Sequence, residues 1–170
     1  MNTNIMCTDM VGYSKLTGDD QNLALELLKE HDKIIEPIID RYNGSIAKRI
    51  GDAIIATFEK SDAMIQSAIE IQQSLKNRNN RSIKSRQIIL RIGLHNGKIT
   101  FQNHELYGEG YALAMEIEPV CQYGGISISE DLCKLVRESN ELIIRGTKHC
   151  FFIRPIAWFD FKSATKPTLI

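Results

Sequence analysis

The chain has 170 residues, 43% of them hydrophobic and 25% charged, and this length and composition predict a single globular domain over residues 1–170. Because 21 basic residues balance 21 acidic ones, no net charge favours nucleic acid or an anionic membrane as a partner. No apolar run approaches the roughly 18 residues of a membrane span, and no signal-peptide pattern opens the chain. The four scattered cysteines suggest neither a zinc site nor a disulfide framework, so we expect a reduced, cytoplasmic protein.

The first predicted elements are a short strand and a long helix. The apolar run NIMCTDM predicts a strand, and the turn residues of VGYSKLTGDD predict a loop. The segment QNLALELLKEHDKIIEPIIDRY has apolar residues three, four or seven apart, which predicts an amphipathic helix. Asp19 or Asp20 would cap its N-terminus. Pro37 would kink or divide the helix, and the pair Asn43-Gly44 would end it.

A hairpin and a second helix follow. The segment SIAKRIGDAIIATF has two strand-forming runs around Gly51-Asp52, which predicts a hairpin with these two residues as its turn. The segment SDAMIQSAIEIQQSLKNR predicts a second amphipathic helix, capped by Ser61 or Asp62. The polar, basic stretch NRNNRSIKSRQ predicts a loop.

The second half of the chain continues the alternation of strands and helices. The segment IILRIGLHNGKITFQ predicts two strands joined at His95-Asn96-Gly97, and YGEGYALAMEIEPVCQ predicts a third helix. A strand at GGISISE, a short helix at DLCKLVRES and closing strands at ELIIRG and CFFIRPIAWFDF complete the pattern. The order β-α-β-β-α-β with further elements predicts an α+β fold, with a ferredoxin-like (split βαβ) core and a mainly antiparallel sheet.

Two carboxylates end neighbouring elements of this predicted sheet. Asp9 ends the first strand and Asp52 lies at the tip of the hairpin, so the fold would bring them together. Two adjacent carboxylates repel each other unless a cation lies between them, and Mg²⁺ takes one or two carboxylates together with phosphate oxygens. The spacing alone also allows a simpler interpretation, in which Asp52 is a turn residue and Asp9 a cap.

Two other polar features receive structural interpretations. The stretch from Lys76 to Arg91 is rich in basic residues but lacks the interleaved aromatic residues of a nucleic-acid surface, so we interpret it as a solvated loop. His95 has no cysteine or histidine at metal-ligand spacing, and we interpret it as structural.

Four motifs, in order and spacing, resemble those of the catalytic domains of class III nucleotidyl cyclases, especially the bacterial adenylate cyclase type. They are CTDMVGYS, AKRIGDAIIATF, LRIGLHNGKI and the sequence from LYGEGYALAMEIE to GGISIS. The resemblance implies the class III cyclase fold and a dimer with composite sites at its interface. The implied reaction is attack of the ribose 3′-hydroxyl on the α-phosphate of a nucleoside triphosphate, which yields a 3′,5′-cyclic nucleotide and pyrophosphate.

The resemblance also implies roles for individual residues. Asp9 and Asp52 match the two catalytic aspartates that bind two ions of Mg²⁺ or Mn²⁺ in one subunit. Lys48 and Glu105 match the positions that read the base in the other subunit, and Gly51 belongs to the substrate-binding hairpin. A lysine with an acidic partner is similar to the adenine-reading set, so ATP is the default substrate. Stand-alone cyclases that make cCMP or cUMP in anti-phage signalling belong to the same broad family.

Two positions depart from the family pattern. The helix after YGEG usually carries an asparagine and, four residues later, an arginine that offsets charge in the transition state. These positions are Ala112 and Glu116 here. A transition-state arginine in phosphoryl transfer is worth roughly 10³–10⁵ in rate, so the loss could silence an ordinary homodimeric site.

Several alternatives therefore stay open. Another basic residue could replace the arginine, with Arg49, Arg145 and Lys148 as candidates. The chain could form a heterodimer, in place of a homodimer, with another cyclase-like chain that supplies the missing groups. It could also be a catalytically impaired pseudo-cyclase that binds a nucleotide or regulates a partner, or an interaction module that uses the dimer surface alone.

Overall fold

The structure is a computed structural model that describes residues 2–102, 105–136, 142–146 and 150–155. Its strands and helices alternate along the chain. The strands are β1 (Asn2–Met10), β2 (Ser45–Ile50), β3 (Ala53–Phe58), β4 (Leu90–Lys98), β5 (Thr100–Gln102), β6 (Glu105–Tyr107), β7 (Ile126–Ser129), β8 (Leu142–Gly146) and β9 (Cys150–Pro155). The helices are α1 (Tyr13–Asp19), α2 (Gln21–Arg41), α3 (Ser61–Asn79), α4 (Glu109–Ile117) and α5 (Glu130–Val136), with one short 3₁₀ helix at Lys84–Arg86.

Seven of the described strands form one sheet in the order β2-β3-β1-β4-β7-β9-β8. Strands β4 and β7 are parallel, and the other neighbouring pairs are antiparallel. The order β2-β3-β1-β4 is that of a ferredoxin-like split βαβ unit. The structure therefore confirms the predicted fold class, which is α+β with a mainly antiparallel sheet.

The two faces of the sheet bury different sets of side chains. Strand β1 alternates between them, because Met6 and Met10 join the large core under α2, α3 and α5, whereas Ile5 and Cys7 join a small core under α4. The small core is completed by residues of β3, β6 and α4, namely Ile55, Leu106 and Ala114. Asp9 follows the same alternation and lies on the face that α4 covers.

Helix α4 packs directly on β4 because glycines remove side chains from the contact. A Cβ atom at Gly93 would lie 2.7 Å from the backbone nitrogen of Glu118 at the end of α4. A Cβ atom at Gly110 would lie 2.7 Å from the carbonyl carbon of Gly97 on β4. The glycines of YGEG and RIGLHNGK thus allow two backbones to approach closely.

Two details of the predicted elements are wrong. The stretch predicted as a loop contains α1, whose residues Tyr13 and Leu16 pack against the large core. The residues His95-Asn96-Gly97 are not a turn, because β4 continues through them while pairing with β1. Of the two alternatives for Pro37, division of the helix is excluded, because α2 runs unbroken from Gln21 to Arg41, and a kink there stays a prediction.

The helix ends show which capping predictions hold. The side chain of Asp20 accepts a hydrogen bond from the Leu23 N–H, so Asp20 is the cap of α2. Asn43 has a left-handed backbone with φ 55° just after that helix, as a helix stop requires. Helix α3 begins after Lys60 without a side-chain cap, so neither Ser61 nor Asp62 caps it.

The part of the chain that the structure describes contains no helix that is both long and apolar enough to span a membrane. The end of the predicted last strand, residues 156–161, lies outside the described residues.

Candidate active site

Asp9 and Asp52 lie at the same end of two neighbouring strands. Strands β1 and β3 are antiparallel with Thr8 opposite Ile54, so the end of β1 meets the turn before β3. The Met10 N–H donates a hydrogen bond to Asp52 Oδ2 at 2.7 Å. Gly51 has φ 61°, a left-handed conformation that a glycine adopts without strain, and it shapes the turn that presents Asp52. The predicted proximity of the two aspartates is thus observed.

The surroundings of Asp52 disfavour its negative charge. Burial raises the pKa of Asp52, and the charge of Asp9 adds to the rise, although backbone N–H donors oppose it. The side chain of His31 on α2 is fully buried and has a lowered pKa because of that burial. A neutral imidazole supplies no cation to Asp52, so a cation at this end of the sheet would relieve the repulsion between the two aspartates.

Arg91 and Glu118 extend this cluster, and sequence reasoning did not single them out. Arg91 is opposite Asp9 in the pairing of β1 with β4, and its Nη2 atom donates to Asp9 Oδ2 at 2.6 Å. Its Nε atom lies 2.7 Å from Glu118 Oε1, although the N–H is not aligned for a hydrogen bond. The arginine is therefore paired with two carboxylates. The register of β1 against β4 was the signal that could have identified it.

Glu118 has a strongly raised pKa. It caps the end of α4 and is only 6% exposed. Burial raises the pKa of Glu118 to about 7, with Asp9 as the next cause and Arg91 opposing. Three carboxyl groups thus share one region of low solvent access with one guanidinium, which leaves an excess of negative charge there.

Lys48 and Glu105 form a second pair. The Lys48 ammonium on β2 donates a hydrogen bond to the Glu105 carboxylate on β6, and this contact raises the pKa of Lys48. The side chains are 28% and 50% exposed, so both can reach a ligand in solvent. The two residues predicted to read a base are therefore adjacent. In the described part of the chain, no hydrogen bond or ion pair joins this pair to Asp9 or Asp52.

Ala112 and Glu116 lie one turn apart on the solvent face of α4. Both are exposed, whereas Ala114 and Ile117 face the sheet. Neither exposed side chain has a place in the small core, so core packing does not explain why these positions are alanine and glutamate.

None of the three predicted substitutes for the missing arginine is tested. Arg49 forms ion pairs with Glu36 and Asp32 of α2. Lys148 and the side chain of Arg145 lie outside what the structure describes. All three remain predictions.

The basic stretch of residues 76–91 is not simply a solvated loop. Arg78 and Arg86 pair with Glu30 of α2, and Arg86 also pairs with Glu26. Arg91 lies on β4 beside Asp9. Half of the six basic residues thus have intramolecular partners, which weakens the case for a nucleic-acid surface.

His95 has the structural role that was predicted. It is 5% exposed, and its Nδ1 atom lies 2.8 Å from the Ser129 hydroxyl. Burial lowers the pKa of His95, in keeping with a neutral imidazole packed in the sheet.

The donor chemistry at Asp9 and Asp52 suits a hard divalent cation. Among the described residues, no group of three or more His, Cys, Asp or Glu side chains could hold a metal ion by itself. Mg²⁺ requires no such cage, because it usually keeps several waters and takes one or two carboxylates with substrate phosphates. Two carboxylates at one end of the sheet, of which Asp52 has a pKa raised by burial and by the charge of Asp9, fit that requirement.

A family model matches almost the whole chain. The adenylate and guanylate cyclase catalytic domain matches residues 1–153. A putative adenylate cyclase 3 from Rhizobium meliloti is 30% identical over 139 residues, which cover 81% of this chain and 24% of that protein. A serine/threonine-protein kinase, pkn2 of Myxococcus xanthus, is 24% identical over 76% of this chain and 16% of its own length. The chain therefore spans a quarter or less of these relatives.

Solved structures share the fold. An adenylate/guanylate cyclase/hydrolase from Silicibacter pomeroyi superposes with a TM-score of 0.77 at 24% identity, over 92% of this chain and 98% of that one. The adenylyl cyclase CyaB from P. aeruginosa gives a TM-score of 0.74 at 17% identity, over 90% and 93% of the two chains. The TM-scores show a shared fold, and at these identities they show the fold alone; the family model shows the family. The chain belongs to the adenylate and guanylate cyclase catalytic domain family.

Proposed function

We propose that this chain is a nucleotidyl cyclase that converts a nucleoside triphosphate, by default ATP, into a 3′,5′-cyclic nucleotide and pyrophosphate. In this reaction the 3′-oxygen bonds to the α-phosphorus and the bond to the pyrophosphate oxygen breaks. The observation that carries the proposal is the meeting of Asp9 and Asp52 at one end of the sheet, inside a family of cyclase domains. The buried thiols of Cys7 and Cys133 suit the reducing cytoplasm, where we place the reaction.

Asp9 and Asp52 would hold two ions of Mg²⁺ or Mn²⁺. The bound ions would activate the 3′-hydroxyl and neutralise charge on the phosphates. Asp52 is suited to a fixed position, because its Oδ2 atom accepts the Met10 N–H and its backbone lies in a tight turn. Asp9 is anchored on a strand with a neighbour on either side. Such rigidity favours catalysis by positioning.

Lys48 and Glu105 would read the base. The ammonium can donate to a ring nitrogen and the carboxylate can accept from an exocyclic amine. Adenine and cytosine both present this combination on one edge, whereas guanine and uracil present a carbonyl oxygen where the amine would be. This chemistry favours ATP and keeps CTP as an alternative substrate. A pyrimidine cyclase for cCMP is compatible with this pair, and one for cUMP would require Glu105 to be protonated or displaced.

A dimer would unite the two pairs. Among the described residues, no hydrogen bond or ion pair joins the Lys48–Glu105 pair to Asp9 or Asp52, so a composite site would take one pair from each protomer. Large apolar side chains are exposed on the β5–β6 hairpin and on α4, among them Phe101, Tyr107 and Leu113. Exposed apolar residues of this kind are typical of interfaces. The partner could be a second copy or another cyclase-like chain.

A second candidate function is a pseudo-cyclase that binds a nucleotide or regulates a partner chain. The exposed Ala112 and Glu116 favour it, because no packing requirement accounts for them and both remove groups that stabilise the transition state. This candidate predicts nucleotide binding without product.

The experiment that tests the proposal compares four substrates. The purified chain is incubated with ATP, GTP, CTP or UTP and Mn²⁺, and the products are separated by chromatography. The essential variant is Asp52→Asn, which removes the charge and keeps an oxygen that can accept the Met10 N–H. The matched control is Asp62→Asn, an exposed carboxylate in the first turn of α3.

The proposal predicts one cyclic nucleotide that Asp62→Asn preserves and Asp52→Asn abolishes. No product from any of the four substrates would overturn the self-sufficient homodimeric cyclase. Nucleotide binding in that case would support the pseudo-cyclase, and the absence of binding would leave an interaction module.

A further inference from the structure

We propose that Arg91 is a positioning residue that holds Asp9 in the metal-free chain and yields it to a divalent cation, while Glu118 retains the guanidinium. This inference rests on the proposed function, because it takes Asp9 as a metal ligand. It assigns a task to two residues that the reaction chemistry described above leaves unused.

The geometry places one cation between two carboxylates. Arg91 Nη2 lies 2.6 Å from Asp9 Oδ2, and Arg91 Nε lies 2.7 Å from Glu118 Oε1. Arginine can serve both partners because its five N–H groups point outwards from a planar fork. The guanidinium thus already occupies the place of a counter-ion beside Asp9.

The two contacts of Arg91 differ in strength. Arg91 Nη2 donates a hydrogen bond to Asp9 Oδ2, whereas the N–H of Nε is not aligned with Glu118. The contact with Glu118 is therefore held by charge and can improve if the guanidinium turns. Loss of Asp9 to a metal ion would permit that turn, so the arginine would keep a partner throughout.

Glu118 is fixed more firmly than the other two groups. Its side chain is 9% exposed, against 23% for Arg91 and 30% for Asp9. Its backbone lies against Gly93 of β4, where no side chain separates helix from strand. Glu118 is therefore the more enclosed of the two carboxylates, which suits it to be the lasting partner of Arg91.

The exchange has a measurable effect on metal affinity. A metal ion that must displace Arg91 binds only the fraction of molecules in which Asp9 is released, and its apparent affinity falls by that fraction. Removing the competing guanidinium should tighten metal binding. Removing the carboxylate of Glu118 should weaken metal binding. Of the two carboxylates that now pair with Arg91, Asp9 alone would then remain.

The test measures Mn²⁺ binding to the full chain without nucleotide, from the loss of the electron paramagnetic resonance signal of free Mn²⁺. We expect Arg91→Gln to bind Mn²⁺ about fivefold more tightly than the wild-type chain. We expect Glu118→Gln to bind it several-fold more weakly. The matched control is Arg86→Gln, which removes the same charge from a pair with Glu26 and Glu30; its affinity should be unchanged.

A double variant separates competition from a general effect of charge. Arg91→Gln combined with Glu118→Gln removes the guanidinium together with the carboxylate that retains it. If Glu118 acts by retaining Arg91, adding Glu118→Gln to Arg91→Gln leaves the affinity for Mn²⁺ unaltered. A field effect alone predicts that it still weakens the affinity, and that result would overturn the proposal.

The outcomes also distinguish this inference from the proposed function. If Asp52→Asn abolishes Mn²⁺ binding while Arg91→Gln and Glu118→Gln leave it unchanged, the metal site stands and the role of Arg91 fails. If neither wild type nor Arg91→Gln binds Mn²⁺ without nucleotide, the role of Arg91 fails, and the four-substrate assay still decides the proposed function. Should Arg91→Gln not fold, as judged by thermal unfolding, the opposite expectation for Glu118→Gln decides the matter.

Discussion

Glu116 replaces a basic residue of the family pattern on the exposed face of α4. If the chain is a cyclase, restoring the usual pair should help it. We expect Ala112→Asn with Glu116→Arg to raise the rate of cyclic nucleotide formation at least about tenfold, because an arginine there would offset transition-state charge. The rate is measured by chromatography of the product.

The control for this pair of changes is Glu109→Arg, which makes the same charge reversal on an exposed position of the first turn of α4. Equal rates for the control and the restored pair would indicate a charge effect without positioning. A rate unchanged from wild type would show that the site obtains its positive charge elsewhere.

His31 predicts a pH dependence of stability. Burial depresses its pKa in the folded chain, so the unfolded chain binds a proton more readily. The stability that neutral His31 contributes is present above its unfolded pKa, about 6.5, and is lost as the pH falls toward the folded value. We expect the contribution of His31 to the free energy of unfolding to decrease below about pH 6.5, by up to about 1.4 kcal/mol per pH unit.

The measurement is urea denaturation at several pH values. His31→Leu should flatten the slope, since no imidazole remains to be protonated at this position. His95 also has a lowered pKa, which adds to the slope, whereas the pKa of Glu118 is raised to about 7, which opposes it, so a residual slope is expected in that variant. An unaltered slope in His31→Leu would contradict the burial argument.

At the residue scale, the sequence predicted the site only in part. Asp9, Asp52, Lys48 and Glu105 were identified because short motifs carry them, and the structure brings each pair together. Arg91 was grouped with a basic loop because charge density along the chain does not show which strand a residue joins. Its role depends on the pairing of β1 with β4, a contact between residues 82 positions apart.

At the element scale, the packing of α4 on β4 depends on Gly93. A methyl group there would meet the backbone of Glu118 at 2.7 and 2.9 Å, and a backbone cannot move aside as a flexible side chain can. We expect Gly93→Ala to lower the free energy of unfolding by about 1–3 kcal/mol, as overpacking does in cores. Chemical denaturation with an unchanged m value would measure the loss.

Gly18 provides the contrasting substitution. It lies in α1, and a Cβ atom there would have no neighbour within 4 Å. Gly18→Ala should leave stability unchanged or raise it by up to about 1 kcal/mol, because alanine favours a helix over glycine. A loss in Gly18→Ala as large as that in Gly93→Ala would show that backbone freedom, and not space, decides both positions.

The elements that sequence reasoning missed have weak local signals. Helix α1 has seven residues, starts after Gly12 with φ 79° and has no side-chain cap, so neither length nor a cap marks it. The pair Asn96-Gly97, which is typical of a turn, lies within a strand here for another reason. A Cβ atom at Gly97 would strike the His95 ring and lie 2.8 Å from Gly110, so this glycine serves the contact with α4. Tertiary contacts override local propensity in both places.

At the scale of the whole molecule, a composite site makes a strong prediction about mixtures. Lys48→Ala and Asp52→Asn would each be inactive alone, because each would damage both sites of a homodimer. When the two variants are mixed, half of the dimers contain one chain of each. In such a dimer, one composite site receives both substitutions. The other site is intact, so about a quarter of the wild-type activity should return.

The control mixture combines Lys48→Ala with Glu105→Ala, which lie in the same pair. Both lesions then affect the same half of the site, so no intact site can form and activity should stay absent. Recovery in both mixtures, or in neither, would contradict a site that takes one pair from each protomer. The assay is product formation after the mixed chains have re-equilibrated.

The sheet also shows a property of Lys48 that concerns solubility. Strand β2 forms an outer edge of the seven-stranded sheet, and such an edge can add strands from other molecules. The register shifts between Ile46 and Lys48, and the charged Lys48 and Arg49 follow this irregularity. Both features discourage edge-to-edge aggregation. A change of base preference made by an apolar side chain at position 48 would therefore also remove protection from that edge, so specificity and solubility are linked at this one residue.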